Sequence, residues 1–156
     1  MSSINPSSVN TIRIMTLLGQ NDVKICSSIV RMGHSDSRTD NVSKGGLACG
    51  VDENGRLKNV AYNFKGESFH VHPNSGIQFN SIQIPSYEAA CDLVREAHPY
   101  IPHFRLVSWD LAIEESGRPV LVEANLSYGA LNSHQLNNGA LFGEDTEKIL
   151  EEVFRK

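Results

Sequence analysis

The chain lacks several features that define whole classes of protein. Its 156 residues include three cysteines, an odd number without a C-x-x-C pair, which predicts reduced thiols in a cytoplasmic protein. The pattern GxxxxGK[ST] is absent, so no glycine-rich phosphate loop is predicted. No apolar run approaches the roughly 18 residues that a membrane helix needs, and the first ten residues do not form a signal peptide. We therefore expect a cytoplasmic protein without a membrane span.

Charge and composition narrow the expected partners. The chain has 14 Lys and Arg against 18 Asp and Glu, a net charge of -4, and these charges are scattered without long runs. Nucleic-acid binding usually needs clustered basic surface, so no nucleic-acid partner is expected. A hydrophobic content of 40% is enough for a real core. We expect a flexible lead-in over residues 1–8 and one domain over residues 9–156.

The hydrophobic pattern predicts an α+β fold. Alternating apolar residues and turn signals predict an antiparallel series of about six strands. Apolar residues at helical spacing predict two main helices, both packed on one face of the sheet. The predicted strands cover residues 9–18, 23–32, 47–51, 57–64, 104–114 and 119–125, and the helices cover residues 86–97 and 144–155.

The stretch FRLVSWDLAIEESGRPVLVEAN, residues 104–125, predicts a hairpin that carries a metal site. Centring its turn between Ser116 and Gly117 places Asp110 opposite Glu123, with Asn125 on the face of Glu123. Directly opposed like charges are unfavourable in a sheet, whereas two carboxylates and an amide oxygen suit Mg²⁺. The alternatives are that these acids are solvated, or that one of them pairs with a Lys or Arg from elsewhere.

A second candidate metal site comes from His70 and His72. An H-x-H pair on a strand would place both imidazoles on one face, as a transition-metal site requires. The alternative is that these histidines face a cleft or solvent. The polar segment of residues 33–46 has a similar ambiguity, because a long polar segment between strands is either functional or an ordinary surface loop.

The hairpin resembles the C-terminal metal site of ATP-grasp ligases. The shared pattern is D-x12-E-x-N, and the words SWDLAI and GRPVLVEANLSYG are closest to the sugar-transfer-associated group of that family. The resemblance covers the chain from about Val9 onward, but only the C-terminal part of a family member. It implies that Asp110, Glu123 and Asn125 hold Mg²⁺, or Mn²⁺, against the phosphates of ATP.

The same resemblance assigns roles to residues upstream and downstream. The phrase NTIR resembles a family strand whose Arg, here Arg13, reaches the phosphates or an acyl phosphate, and a guanidinium fork suits that task. A family loop beside the nucleotide would run from Arg31 through Asn41 to the glycine pair at 45–46. Lys44 would meet a phosphate or an acidic substrate, or remain exposed. After the E-x-N motif the family places an acceptor-binding loop, for which the candidates are Asn132, Ser133, His134 and Gln135.

Family members activate a carboxylate with ATP and transfer the acyl group to an amine or thiol. In a bacterial surface-polysaccharide setting, the substrates would be a small carboxylate and an amino sugar. This chain departs from the family pattern because Ser108 stands where several ligases have Arg, and because the N-terminal elements that clasp ATP are missing. Whether it is an enzyme therefore stays open. The alternative is a non-catalytic ligand- or partner-binding module, and the expected macromolecular partner is a second copy or the missing N-terminal segment.

Overall fold

A computed structural model describes residues 10–33, 46–127 and 129–154 of the chain. Within these ranges one antiparallel sheet contains seven strands in the order β5-β4-β3-β2-β1-β6-β7. The α+β prediction is confirmed, and the additional strand is β5, which has only two residues. The strands are β1 (Thr11–Leu18), β2 (Val23–Met32), β3 (Leu47–Val51), β4 (Leu57–Asn63), β5 (Ser68–Phe69), β6 (Leu106–Ile113) and β7 (Pro119–Asn125).

Three α-helices accompany the sheet in the described ranges, where the sequence predicts two. They are α1 (Tyr87–Ala97), α2 (Leu131–Asn138) and α3 (Thr146–Phe154). Helix α2 lies in a segment for which the sequence predicts irregular structure. Its residues, LNSHQLNN, have no apolar stripe at helical spacing, and its buried side chain is His134. Its helical state therefore depends on tertiary contacts rather than on a local pattern.

Helix α1 packs on one face of the central strands. Its apolar residues Ala90, Cys91 and Val94 are buried in one cluster with Ile12 and Ile14 of β1. Because side chains alternate along a strand, Arg13 and Met15 of the same strand lie on the opposite face. The apolar side of α1 is thus as the sequence predicts, and it leaves the other sheet face to other elements.

The opposite face is covered by the segment that leads into α2. Helix α2 contacts β2, β3 and β4. A Cβ atom at Gly129 would lie 2.9 Å from Cε of Met15 and 2.8 Å from Cβ of Ser108. A Cβ atom at Gly50 would lie 2.5 Å from Oδ1 of Asn138. Glycine at these two positions therefore lets the 129–138 segment lie directly on the sheet.

Helix α3 is connected to the sheet by ion pairs. Lys24 pairs with Asp145 just before the helix, and Nη2 of Arg105 lies 3.0 Å from Oε2 of Glu152. The helical spacing of the sequence predicts one inner face that contains Ile149, Leu150, Val153 and Phe154. Leu150 and Phe154 are instead 48% and 76% exposed, and Ile149 is half-buried. These three residues of the predicted face are therefore only partly covered in this structure.

The three cysteines are free thiols, as the sequence predicts. Cys49 and Cys91 are buried, and Cys26 is half-buried. Burial raises the pKa of Cys26 to about 11 and that of Cys49 to about 12. These two residues are therefore neutral thiols at physiological pH, which argues against a nucleophilic role for them.

The described helices also bear on the membrane prediction. None of the helices in the described ranges is long and apolar enough to cross a bilayer.

Candidate functional site

The hairpin of β6 and β7 brings the predicted metal ligands together. Asp110 pairs directly with Glu123, and Ser108 pairs with Asn125. Both pairings agree with the sequence prediction. Paired residues of neighbouring strands lie on the same sheet face. The two carboxylates and the amide therefore share one face, which is the face beneath the 129–138 segment.

Nearer its turn the hairpin differs from the prediction by one residue. The register changes between Asp110 and Leu111, so that Leu111 pairs with Leu121 and Val122 is the extra residue of a bulge. The turn closes with a hydrogen bond from the Gly117 N–H to the Glu114 carbonyl, and Gly117 has a φ of 85°. The bulge compensates for a turn that is centred differently from the predicted one. The pairing of Asp110 with Glu123 is correct because these two differences cancel.

Asp110 is buried between two arginines. It is 2% exposed, and it pairs across the strands with Arg13 of β1. Nε and Nη2 of Arg13 donate to Oδ1 and Oδ2 of Asp110 at 2.6 and 2.7 Å, which is a bidentate pair. Nη2 of Arg31 lies 3.1 Å from Oδ2 of the same carboxylate, and it also donates to Thr11. Of the alternatives that the sequence leaves open, the structure therefore contains the ion pair, because Asp110 pairs with arginines from other strands.

Glu123 and Asn125 have a different environment from Asp110. They lie on β7, the edge strand, where Glu123 is exposed and Asn125 is half-buried. Asn125 donates its Nδ2 to the Ser108 carbonyl at 3.3 Å, which turns its Oδ1 away from that carbonyl. No ion pair found among the described residues involves Glu123. A cation would therefore find one exposed carboxylate here, beside one that is buried and paired.

The donor set consists of oxygens only. In the described ranges there is no group of three or more His, Cys, Asp and Glu side chains that could hold a metal ion. The candidate site contains only two side chains of these types, Asp110 and Glu123, and its third member is the amide of Asn125. Two carboxylates and an amide suit Mg²⁺ or Mn²⁺, which share their remaining positions with water and phosphate oxygens. These residue types therefore fit a hard divalent cation.

Ser108 explains one departure from the family pattern. Its Oγ donates to the Gly129 carbonyl at 3.2 Å. The packing here is close, because a Cβ on Gly129 would approach Cβ of Ser108 to 2.8 Å. Arg13 and Arg31 place guanidinium groups on this face instead.

His134 is a site neighbour that its helical position brings inward. It is 0% exposed, and its Nδ1 lies 2.8 Å from Oγ of Ser27. Asn138, one helical turn later, donates its Nδ2 to the same Oγ at 2.8 Å. Burial and then the charge of Arg13 lower the pKa of His134 to about 3, against the opposing effect of Asp110. The imidazole is therefore neutral and lies within electrostatic reach of the ion pair.

The remaining acceptor-loop candidates are placed differently from His134. Asn132 and Gln135 are exposed on α2, and Ser133 is half-buried. The sequence predicts an irregular loop with four polar contacts, whereas the structure turns one of the four into the site. The H-x3-N spacing of His134 and Asn138, which puts both on one helix face, is the signal that could have indicated this.

On the sheet face opposite to Asp110, a chain of hydrogen bonds connects β6 to β1 and to His98. Nε1 of Trp109 donates to Oγ1 of Thr16 at 2.7 Å, and Thr16 lies 2.7 Å from Nδ1 of His98. Nε2 of His98 lies 2.7 Å from the Phe104 carbonyl, which can only accept, so the ring proton is on Nε2 and Thr16 donates to Nδ1. The sequence gives no local signal for this chain, since its members come from distant segments.

The two histidines of the H-x-H pair are separated by the fold. His70 is exposed, whereas His72 is 0% exposed with its Nε2 3.0 Å from the Gly33 carbonyl. The prediction that both imidazoles share one face is wrong, because the short β5 strand ends at Phe69, before the pair. The structure therefore gives no support to the H-x-H metal site.

Three upstream candidates lie outside the described residues. They are Asn41, Lys44 and Gly45, and their predicted roles beside the nucleotide stay predictions. Arg31, the strand-end residue from which that loop starts, lies on the same face as the Arg13–Asp110 pair and contacts it.

Comparison with known proteins gives one finding. The family model for sugar-transfer associated ATP-grasp proteins matches residues 1–150, which is nearly the whole chain. No curated protein matches the chain, and no solved structure matches it. The extent of the family match, together with the D-x12-E-x-N hairpin, shows that this chain belongs to the sugar-transfer associated ATP-grasp family.

Proposed function

We propose that this chain forms the metal- and phosphate-binding C-terminal half of an ATP-grasp ligase-like site. The observation that carries the proposal is a row of side chains across three neighbouring strands. Arg13 pairs with Asp110, and Asp110 pairs with Glu123, so β1, β6 and β7 each contribute one charged residue to the same face. Such a row supplies both kinds of group that a metal–nucleotide complex requires.

The acidic end of the row would hold the cation. Asp110, Glu123 and Asn125 are the proposed ligands of Mg²⁺ or Mn²⁺, because their oxygens suit a hard cation. Each carboxylate oxygen can accept more than one contact, so the arginine bonds to Asp110 do not exhaust its lone pairs. When bound, the cation would neutralise charge on the ATP phosphates as a phosphoryl group moves.

The basic end of the row would hold the anion. Arg13 and Arg31 carry two positive charges, which balance the negative charges of Asp110 and Glu123. The row together with Arg31 of β2 is therefore electrically neutral, and an anion that arrives with its own divalent cation matches both its basic and its acidic groups. Arg13 is the proposed stabiliser of the transferred phosphoryl group, and its planar fork can hold two oxygens at once.

The proposed reaction belongs to sugar-transfer or surface-polysaccharide pathways in the cytoplasm. A small carboxylate would attack the γ-phosphorus of ATP, giving an acyl phosphate and ADP. An amine or thiol, for example that of an amino sugar, would then attack the acyl carbon and release phosphate. Asn41 and Lys44 would lie beside the nucleotide, and the family resemblance alone supports these roles. A second copy of the chain, or a separate N-terminal segment, would supply the adenine contacts.

A second candidate function is a non-catalytic ligand- or partner-binding module. The observation that favours it is the charge pairing of Asp110, which already has two guanidinium partners. A buried carboxylate paired in this way needs no cation for charge balance. In that case the Arg13–Asp110–Arg31 cluster would be structural, and binding would be indifferent to Glu123.

Isothermal titration with Mn²⁺ and a non-hydrolysable ATP analogue separates the two candidates. For the ligase-like site, Glu123→Gln and Asn125→Ala should each weaken metal-dependent binding by about tenfold or more, which corresponds to about 1.4 kcal/mol. Glu115→Gln is the matched control, because Glu115 is an exposed acid at the turn of the same hairpin. Equal affinity in wild type and both site variants would reject the ligase-like site and favour the module.

A further inference from the structure

One nitrogen atom near the candidate site is buried without a partner among the described residues. No hydrogen-bond partner for Nε2 of His134 is found in residues 10–33, 46–127 and 129–154, while Nδ1 of the same ring contacts Ser27 at 2.8 Å. The whole side chain is 0% exposed. Buried polar atoms in native proteins nearly always have a partner, so an orphan of this kind indicates an acceptor or donor that is not among the described residues.

The contacts of Ser27 decide which kind of group is missing. Asn138 donates its Nδ2 to Oγ of Ser27, so that hydroxyl accepts one bond and has a single proton to donate. Nδ1 of His134 lies 2.8 Å from Oγ of Ser27, within reach of that proton. We infer that Ser27 donates it to Nδ1, which places the ring proton of the neutral imidazole on Nε2. In this tautomer the orphaned atom is an N–H donor, and what it lacks is an acceptor.

The electrostatic surroundings of His134 favour an anionic acceptor. The charged groups that act on the imidazole are Arg13 on β1 and Asp110 on β6. Arg13 lies on the same sheet face as Ser27, the residue that holds the imidazole. An oxyanion beside Arg13 would be balanced by the guanidinium and would reach a neutral N–H from the helix above.

We propose that the Nε2–H group of His134 binds an oxygen atom of a phosphate or carboxylate ligand that is held beside Arg13. His134 is then a binding residue of the same site, contributed by α2, and it holds the ligand without carrying a charge. The proposal rests on the proposed function in taking Arg13 as an anion-binding group. It adds a donor that is independent of the metal ligands.

Access to the enclosed atom depends on the segment before α2. Ala130 precedes this helix with a φ of 57°, a left-handed conformation that is unfavourable for a residue with a Cβ atom. Relaxation of Ala130 would let the helix lift from the sheet, and the strain therefore favours opening at this point. Binding of an oxyanion under the helix would offset the strain and hold the segment closed.

The test uses NMR of the full chain with ¹⁵N-labelled histidine, and the probes are inorganic pyrophosphate and malonate without metal. We expect His134 to be in the Nε2–H tautomer and its Nε2 signal to shift on titration. A shift with pyrophosphate assigns the site to a phosphate, and a shift with malonate alone assigns it to a carboxylate. A His134 signal that neither anion moves would assign the N–H to an internal water and overturn the proposal.

Two variants of His134 separate binding from structure. His134→Asn keeps a polar atom at the Nδ1 position beside Ser27 but removes the Nε2 donor, so anion affinity should fall by about tenfold or more. His134→Gln keeps a donor at the Nε2 position and should retain most of the affinity. The opposite order, with His134→Asn binding like wild type, would overturn the proposal.

The outcomes also distinguish this inference from the proposed function. Metal-dependent nucleotide binding that Glu123→Gln abolishes, with no anion effect on His134, would refute the inference alone. Anion binding at His134 without any metal-dependent nucleotide binding would refute the metal–nucleotide site and leave the inference standing.

Discussion

The two faces of the central strands are built from different chemistry. On one face, Ile12, Ile14 and Leu111 are buried against α1 in a continuous apolar cluster. On the other face, Arg13 and Asp110 of the same two strands are equally buried, but as an ion pair beneath the α2 segment. The comparison shows that burial alone does not identify the core, because one strand supplies an apolar core and a charged interior on alternate residues.

Burying charged side chains on this face is energetically unfavourable compared with burying apolar ones. Removing a carboxylate and a guanidinium from water has a large desolvation cost, and apolar replacements of similar volume are often as stable or more so. The polar face is also continued by the hydroxyl groups of Ser27 and Ser108. The proposed function gives a reason for this polar face, namely ligand binding, whereas the α1 face contributes stability.

The largest expected effect comes from breaking the ion pair. Asp110→Ala should lower the free energy of unfolding by about 3–5 kcal/mol, because it leaves the buried guanidinium group of Arg13 without its carboxylate. Urea denaturation followed by circular dichroism measures this loss.

The matched control removes both charges of the bidentate pair. The double variant Arg13→Met with Asp110→Leu should be clearly more stable than Asp110→Ala, since no unpaired carboxylate or Arg13 charge remains. A double variant as unstable as the single one would show that packing, and not charge, holds this face together.

The adjacent residue on the same strand tests the apolar face. Leu111→Ala should cost about 2–5 kcal/mol, because it leaves a cavity beneath α1. Its effect on Mn²⁺ affinity, measured below the unfolding transition, should be negligible, since its side chain points away from Asp110. A loss of Mn²⁺ affinity as large as that from Glu123→Gln would mean that the two faces are not independent.

A pH effect is expected from His134 and should be smaller than the loss from Asp110→Ala. Its folded pKa is about 3 and its usual pKa is 6.5, so between these values the unfolded chain binds a proton that the folded chain does not. The contribution is fully present above pH 6.5 and is lost as pH falls toward 3. We expect a loss of about 2–3 kcal/mol between about pH 6.5 and 4.5. The free energy of unfolding of His134→Asn, measured by urea denaturation at each pH, should vary less with pH over this range. A pH dependence parallel to that of wild type would contradict the assignment.

The smallest expected effect is a gain in stability. Ala130→Gly should raise the free energy of unfolding by about 1 kcal/mol, since glycine adopts a φ of 57° without strain. Ser86→Gly is the matched comparison before α1, where Ser86 has a φ of 52° and makes no side-chain cap bond. Both variants are measured by thermal unfolding. Only Ala130→Gly should change anion binding at His134, and a change with Ser86→Gly as well would reject a local effect.

Much of the sheet could be predicted because its signals are local. Alternation and turn residues gave β2 and β3 with the bounds that the structure has. The pairing of Asp110 with Glu123 was predicted correctly because the bulge offsets the different centre of the turn. The bulge at Val122 could not be predicted, since it depends on how β7 twists at the sheet edge.

The parts that were missed depend on contacts between distant segments. The bond from Arg13 to Asp110 joins residues 97 positions apart, and the bond from His134 to Ser27 joins residues 107 apart. The sequence placed Arg13 near the phosphates only through the family resemblance, and it left α2 without a helical pattern to detect. Leu150 and Phe154 show the converse case, because a clear apolar stripe predicts burial that the structure does not contain.

The most direct test of the central claim is NMR with Mn²⁺, which broadens nearby amide signals. If the charged face binds a divalent cation, the amides of Asp110, Glu123 and Asn125 should broaden first, and those of β4 should stay sharp. Glu123→Gln should abolish the selective broadening. Broadening centred on the exposed acids of α3, or spread evenly over the chain and unchanged in Glu123→Gln, would contradict the claim that this face is a metal site.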